Sequence, residues 1–247
     1  MAHFYVYVSD DICEGQPLRL DPATSHHLLR VLRVGENDRI TLFDGRGKRA
    51  DCILRWSANG RWAEVVAGPV EHVPSPKLRP CLLQGLPKGA AMDELLRRAT
   101  ELGAWEIHPV LCRYGDGGLR PTKSPSRELR WRAIATAACR QSRNPFLPTI
   151  CQPLPLEKIS LRSPSLHIVA SLEADARPWR EVVGHFSEFA GDVYLAVGPE
   201  GDFAPEEQHW LRQNDFLPVS LGTRVLTAET AAMTLLAAAQ LAWGQDP

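Results

Sequence analysis

At 247 residues the chain is long enough for one large domain or two modest ones, each able to bury a core. Its 28 Lys and Arg against 29 Asp and Glu give a formal charge of −1, which excludes a globally basic nucleic-acid binder and leaves only local patches for that task. The six cysteines show no Cys-x-x-Cys pair, and no apolar run reaches membrane-spanning length, so we expect free thiols, no metal centre and no membrane anchor.

Residues 1–70 read as strand-rich. The opening MAHFYVYVSDD lacks a signal peptide's basic start and long apolar core, which predicts a cytoplasmic protein. Strands are expected at 3–8, 38–43, 50–56 and 61–66, with Asp44-Gly45-Arg46-Gly47 as a hairpin connection. One helix, 26–34, interrupts them, with Thr24 or Ser25 as its cap and Gly35 as its stop. Strands around one short helix fit a small β-barrel. His26 and His27 are adjacent, so on a helix they diverge by roughly 100° and make a poor metal pair. Arg30, Arg33 and Arg46 belong to a basic stretch that reads equally well as a solvated face or an RNA contact.

The Pro-rich join at 71–76 marks the boundary, giving domains 1–72 and 73–247. Beyond it strands and helices alternate, which predicts a parallel sheet with helices on its faces. Strands are expected at 80–86, 106–111 and 165–170, and helices at 92–102, stopped by Gly103, and 127–142. Lys88 falls in the loop after the first of these strands. Between Arg113 and Arg143 lie seven arginines and one lysine against Asp116 and Glu128. Arginine suits phosphate oxygens bidentately, so Arg113, Arg140 and Arg143 join the candidate RNA contacts. Residues 114–118 read as a mobile loop beside them, closing on RNA.

The last fifty residues organise the rest. A strand at 193–197 stops at Gly198-Pro199-Glu200-Gly201, and a helix follows over 205–214 with Pro at its first turn. A second strand, 218–221, stops at Gly222-Thr223-Arg224, before an apolar helix over 228–243. In open α/β sheets ligands bind at the carboxyl ends of the strands, so the two glycine loops locate the predicted site. Neither a dinucleotide fingerprint nor a phosphate loop is present. Glu229 by itself suits the positive end of the helix dipole. The final helix is apolar nearly all round and must be covered on more than one side, in a core or at a subunit interface.

Gly-Pro-Glu-Gly-x-Phe, followed after about twenty residues by Leu-Gly-x-Arg-Val-Leu-x-x-Glu-Thr-Ala, resembles the signature of the RsmE group of SPOUT methyltransferases. His26-His27-Leu28-Leu29-Arg30, Leu42-Phe43-Asp44-Gly45, Leu86-Pro87-Lys88-Gly89, Ala99-Thr100-Glu101-Leu102-Gly103 and Gln141-Ser142 fall in the same order as in that group. The resemblance spans nearly the whole chain. It implies a SPOUT-type α/β fold with a carboxy-terminal trefoil knot, and a PUA-like RNA-binding β-barrel at the amino terminus. It further implies a homodimer that methylates N3 of a uridine in 16S small-subunit ribosomal RNA, as naked RNA or in the assembled 30S particle.

The cofactor implied is S-adenosylmethionine (S-adenosyl-L-methionine), held mainly by backbone groups of three loops. In this chain those are Ala170, Ser171 and Leu172; Gly198, Pro199, Glu200 and Gly201; and Leu221, Gly222, Val225 and Leu226, joined by Thr230. Arg224 is then the cation that steadies charge on the uracil oxygens. Glu229 or Glu200 is the base, a structural role being open for each. Asp202 stands where the group usually has glycine, Thr227 where an arginine is common, and Arg140 where an acid is common. Two rivals share the fold: a methyltransferase acting on another RNA, and a ribosome assembly factor without catalysis.

Overall fold

The computed structural model describes residues 4–57, 62–88, 91–115, 125–186 and 188–244. They fall into two compact units, Met1–Ser75 with Cys139–Leu147, and Pro76–Ala138 with Pro148–Pro247.

The first unit carries strands β1 (Phe4–Tyr7), β2 (Pro17–Arg19), β3 (Arg39–Phe43), β4 (Lys48–Trp56) and β5 (Ala63–His72) in one sheet of order β1-β3-β4-β5-β2. β1 runs parallel to β3, and the other pairs are antiparallel. Alternation along β4 turns Ala50, Cys52 and Leu54 inward, where they meet Val6, Leu28, Ile40 and Val65. β2 begins at Pro17, which lacks an N–H and suits the sheet edge where it lies. The sequence reading missed it for that reason.

The helix of this unit starts earlier than expected. α1 is Pro22–His26, and its cap is Asp21, which accepts from the N–H groups of Ala23 and Thr24 at 2.9 and 3.0 Å. Thr24 and Ser25 lie inside the helix, and the Ser25 hydroxyl donates to the Leu20 carbonyl at 3.2 Å. A π-helical turn, His27–Val31, continues the chain, and Arg33 ends the run at φ +54 before Gly35 is reached. Residues 139–147 complete the unit. Cys139 packs against Tyr5 and Phe43, and Leu147 donates its N–H to the Gly45 carbonyl at 2.9 Å.

The second unit is a parallel sheet with helices on both faces. Its strands are β6 (Leu78–Gly85), β7 (Glu106–Val110), β8 (Thr149–Ile150), β9 (Ser165–Ala170), β10 (Arg177–Pro178), β11 (Gly191–Val197) and β12 (Leu217–Ser220), in the order β10-β12-β9-β11-β6-β7-β8. Every pairing is parallel. The helices are α2 (Ala91–Glu101), α3 (Pro125–Ser142), α4 (Trp179–His185), α5 (Pro205–Gln213) and α6 (Ala228–Trp243). α3 starts in this unit and its last residues belong to the first.

Strand periodicity decides which face each side chain serves. Val193, Leu195 and Val197 of β11 join the core formed with α2 and α6, while Tyr194 and Ala196 join the core formed with Leu211 of α5. α6 sends Ala231, Ala232, Leu235, Leu236, Ala239 and Trp243 into the first of these cores and leaves Leu241 77% exposed. Among the described residues no helix is long and apolar enough to cross a membrane.

Candidate active site

Three loops leave the carboxyl ends of β9, β11 and β12 and enclose a cavity of about 350 Å³. The first is pinned at its start, where the Ser171 N–H donates to the Val219 carbonyl at 3.0 Å. The Ser171 hydroxyl then accepts from the Glu173 N–H at 3.1 Å, so the chain turns sharply there.

The glycine loop after β11 closes through the Asp202 N–H, which donates to the Pro199 carbonyl at 2.9 Å. Asp202 sits at φ +61, a left-handed conformation that Asp tolerates because its carboxylate can bond locally. Here Oδ1 accepts from the Phe203 N–H at 2.8 Å. Gly85, at the end of β6, lies directly beneath this loop. A Cβ there would stand 2.5 Å from the Pro199 nitrogen, so only glycine lets strand and loop approach. Glu200 ties the loop to the next segment by accepting the Lys88 N–H at 3.0 Å.

The third loop turns at Gly222, φ +125, and ends where Thr227 caps α6 by accepting the Thr230 N–H at 3.3 Å. A threonine hydroxyl is a good cap acceptor, which gives Thr227 a local structural task.

Most of the expected cofactor-binding residues meet on this wall: Ala170, Ser171 and Leu172; Gly198, Pro199 and Glu200; Leu221, Gly222, Val225 and Leu226. Gly201 and Thr230 do not line it. Thr230 is engaged with Thr227, and Gly201 faces Tyr114 instead. Sequence reasoning missed Val197, Asp202, Thr227, Ala228 and Ala231, which also line the cavity. Ala228 and Ala231 were readable only as helix positions, since alanine carries no chemical signal of its own.

The wall is mainly apolar, and its charged members are Glu200, Asp202 and Arg224. Arg224 is exposed and makes no ion pair among the described residues. Leu172 and Val225 are apolar side chains that stay 66% and 78% exposed on this wall. Glu229 lies at the first turn of α6, off the cavity wall.

The candidate RNA contacts divide between the units. Arg30, Arg33, Arg46 and Arg143 are exposed on the first, where Asp44 accepts from the Arg46 Nε at 3.1 Å. Arg140 is half-buried there, and burial together with Arg140 pushes the neighbouring His27 below its ordinary pKa. Lys88 and Arg113 are exposed on the second unit, near the cavity loops. Residues 116–118 of the expected mobile loop, with Arg120 and Lys123, lie outside the described residues.

Charge also gathers at the opposite, amino-terminal ends of the strands. Arg162 donates through Nε to the buried Asp192 at 2.6 Å and through Nη1 to Glu106 at 2.7 Å. Glu106 also meets His108 Nε2 at 3.0 Å, and Cys151 Sγ lies 3.8 Å from the same nitrogen. Glu106, His108 and Cys151 are the one set of donors among the described residues close enough together for a metal ion. Glu106 is already shared by Arg162 and His108, and we read the group as a closed ion-pair network. Hydrogen bonds from His108 and Arg162, working against burial, hold Glu106 down to about 2. Burial opposes protonation of His108, but its contacts with Cys151 and Glu106 outweigh that and raise it to about 9.

An open parallel sheet with a loop-built apolar cavity at its carboxyl edge defines a ligand-binding α/β domain, and residues 74–240 match the RNA methyltransferase domain model. Residues 20–55 match the model of the PUA domain found in RNA methyltransferases. The chain belongs to the ribosomal RNA small subunit methyltransferase E family. It is 32% identical over 243 residues to the Synechocystis protein of that name, covering 96% of this chain and 77% of the relative. It is 28% identical over 250 residues to the Mycobacterium bovis protein, covering 95% and 89%. A ribosomal RNA small subunit methyltransferase E from Neisseria gonorrhoeae, solved bound to S-adenosyl methionine, superposes with a TM-score of 0.87 at 28% identity, over 98% and 99% of the two chains. The protein Lpg2936 of Legionella pneumophila, solved in complex with the bound cofactor SAM, gives 0.84 at 28% identity over the whole of both chains.

Proposed function

We propose that this chain transfers a methyl group from S-adenosylmethionine to N3 of one uridine in small-subunit ribosomal RNA, working as a homodimer with a knotted carboxy-terminal domain. The observation that carries the reading is the cavity framed by the loops after β9, β11 and β12, in a chain of this family. The residues present fit the cofactor. About 350 Å³ of mainly apolar space suits a nucleoside-sized ligand. The three turning loops bring main-chain polar groups to the cavity wall, the chemistry that reads an adenine edge without charged side chains. The exposure of Leu172 and Val225 on the wall supports their covering a ring. The exposed Leu241 on α6 supports a subunit contact.

Bound S-adenosylmethionine supplies an electrophilic methyl group. The chain must then orient the base and manage one proton and one charge. N3 of uracil carries a proton that has to leave before the nitrogen is a good nucleophile. It passes to a carboxylate on the cavity wall, Glu200 or Asp202, while Glu229 serves the helix dipole. Negative charge develops on O2 and O4 of the base. Arg224 stabilises it in this reading, which is supported by its exposure on the wall and its lack of an ion-pair partner among the described residues. Holding base and methyl donor in line supplies a further part of the rate. Because N3 lies on the Watson–Crick edge, the uridine must enter unpaired. The first unit, with Arg30, Arg33, Arg46, Arg140 and Arg143, binds flanking RNA.

Mass mapping of small-subunit ribosomal RNA from cells with and without the gene tests this. The reading expects one N3-methyl group to vanish with the gene and to return on complementation. An unchanged RNA would refute it.

A further inference from the structure

Tyr114 follows β7, in the segment at its carboxyl end. Its side chain is 47% exposed, leaving much of the ring open to solvent. Arg113 fixes the backbone here from one side: its N–H donates to Glu207 Oε1 at 2.8 Å, and its Nη1 to Glu206 Oε1 at 2.8 Å. Both acids lie in the first turn of α5. On the other side the Gly115 N–H donates to the carbonyl of the buried Cys112 at 3.1 Å. A Cβ on Gly115 would stand 3.0 Å from the Leu86 carbonyl oxygen, so this segment also abuts the one leading to Lys88.

The ring rests beside the cavity's glycine loop. A Cβ at position 201 would stand 2.8 Å from Tyr114 Cβ and 3.6 Å from its Cγ. Gly201 therefore needs to be glycine for Tyr114's sake, which accounts for a signature residue that does not line the cavity. Lys88 stands exposed on the neighbouring segment, while the exposed Arg113 is paired with Glu206. A half-exposed aromatic on a hydrogen-bonded backbone, with a lysine exposed nearby, has what proteins use to stack splayed-out single-stranded bases.

We propose that Tyr114 is the platform on which the target uracil stacks, holding the base at the mouth of the cavity. The proposal rests on the RNA methyltransferase reading above. Tyr114 acts by positioning the base and has no part in the proton transfer. Stacking needs the π-face and not the hydroxyl, so phenylalanine and tryptophan preserve it.

The test compares wild type, Tyr114→Ala, Tyr114→Phe and Tyr114→Trp for methyl transfer to small-subunit ribosomal RNA, with S-adenosylmethionine affinity measured by calorimetry on the same samples. Loss of one base-stacking contact predicts a fall in kcat/KM of about 10- to 100-fold for Tyr114→Ala. The Phe and Trp variants should stay within about threefold, and cofactor affinity should be the same in all four. Full turnover by Tyr114→Ala, or an equal loss in Tyr114→Phe, would overturn the proposal. Photocrosslinking of a 5-iodouridine oligonucleotide is read in parallel. The proposal expects the adduct on Tyr114, and an adduct mapped elsewhere would overturn it. If wild type transfers no methyl group to RNA, the methyltransferase reading fails, and the crosslink still decides the stacking claim.

Discussion

Glu200 Oε1 accepts the backbone N–H of Lys88 at 3.0 Å, across 112 residues of chain. Two segments read as separate in sequence, a glycine loop on the cavity wall and a lysine loop, are thereby tied together. A carboxylate acceptor makes this one of the stronger kinds of hydrogen bond.

Removing that acceptor should loosen the glycine loop and weaken cofactor binding. Glu200→Ala is expected to lower S-adenosylmethionine affinity about tenfold, the equivalent of a charged hydrogen bond worth roughly 1.5 kcal/mol. Glu200→Gln keeps an acceptor oxygen and should lose less in binding. Calorimetry on both variants checks the order; equal affinity for Glu200→Ala and wild type would show that the tether does not shape the cavity.

Gly85 offers a sharper steric test. The atom that a Cβ there would meet at 2.5 Å is the Pro199 backbone nitrogen, which cannot swing aside as a side chain would. Gly85→Ala must push the glycine loop outward, at a cost of about 1–3 kcal/mol in stability. The expected result is a lower melting temperature together with weaker cofactor binding. Gly184→Ala, where an added Cβ meets nothing within 4 Å, is the control and should leave cofactor binding unchanged.

Arg224 is expected to act on the reaction and not on binding. Arg224→Ala should reduce kcat about 100- to 1,000-fold, the range seen when one charge-stabilising group is removed, with cofactor affinity within about twofold. Arg224→Lys should recover part of the loss. Single-turnover methyl transfer at saturating cofactor separates the two effects. A variant that turns over normally would leave the charge on the base to another group.

The network at the far end of the sheet predicts a pH dependence of stability. The folded pKa of His108, about 9, lies above its ordinary 6.5. Its stabilising share is complete below about 6.5 and is lost as pH rises through about 9. Glu106 is shifted the other way, from 4.5 to about 2, so its share is complete above about 4.5 and is lost as pH falls through about 2. Melting temperature should therefore decline between pH 7 and 10 more steeply in wild type than in His108→Gln. Parallel curves for the two proteins would contradict the assignment.

Much of the fold could be read from pattern because its segments obey local rules. Ser165–Ala170 and Ala228–Trp243 have the predicted ends, since an apolar run and a capped apolar helix are each bounded by their own neighbours. The glycine loops pointed to the cavity because glycine and proline announce where a chain must turn. What escaped depends on partners far along the chain. Gly85 reads as an ordinary strand residue until the fold brings Pro199 onto it. Gly201 reads as cofactor backbone until the fold brings Tyr114 beside it. The cap of α1 was misread because Asp21, Thr24 and Ser25 are all good caps, and only the geometry ahead of Pro22 selects Asp21. The association of residues 139–147 with the first unit rests on packing to Tyr5 and Phe43, which no local pattern encodes.

Methyl transfer in vitro tests the assigned reaction most directly. Small ribosomal subunits from cells lacking the gene are incubated with the purified protein and methyl-labelled S-adenosylmethionine, and the RNA is digested to nucleosides. The label should elute as 3-methyluridine, at up to one per particle, and Arg224→Ala should slow its appearance. Label in a ribose 2′-O-methyl nucleoside, in another base, or in none at all would contradict the assigned reaction.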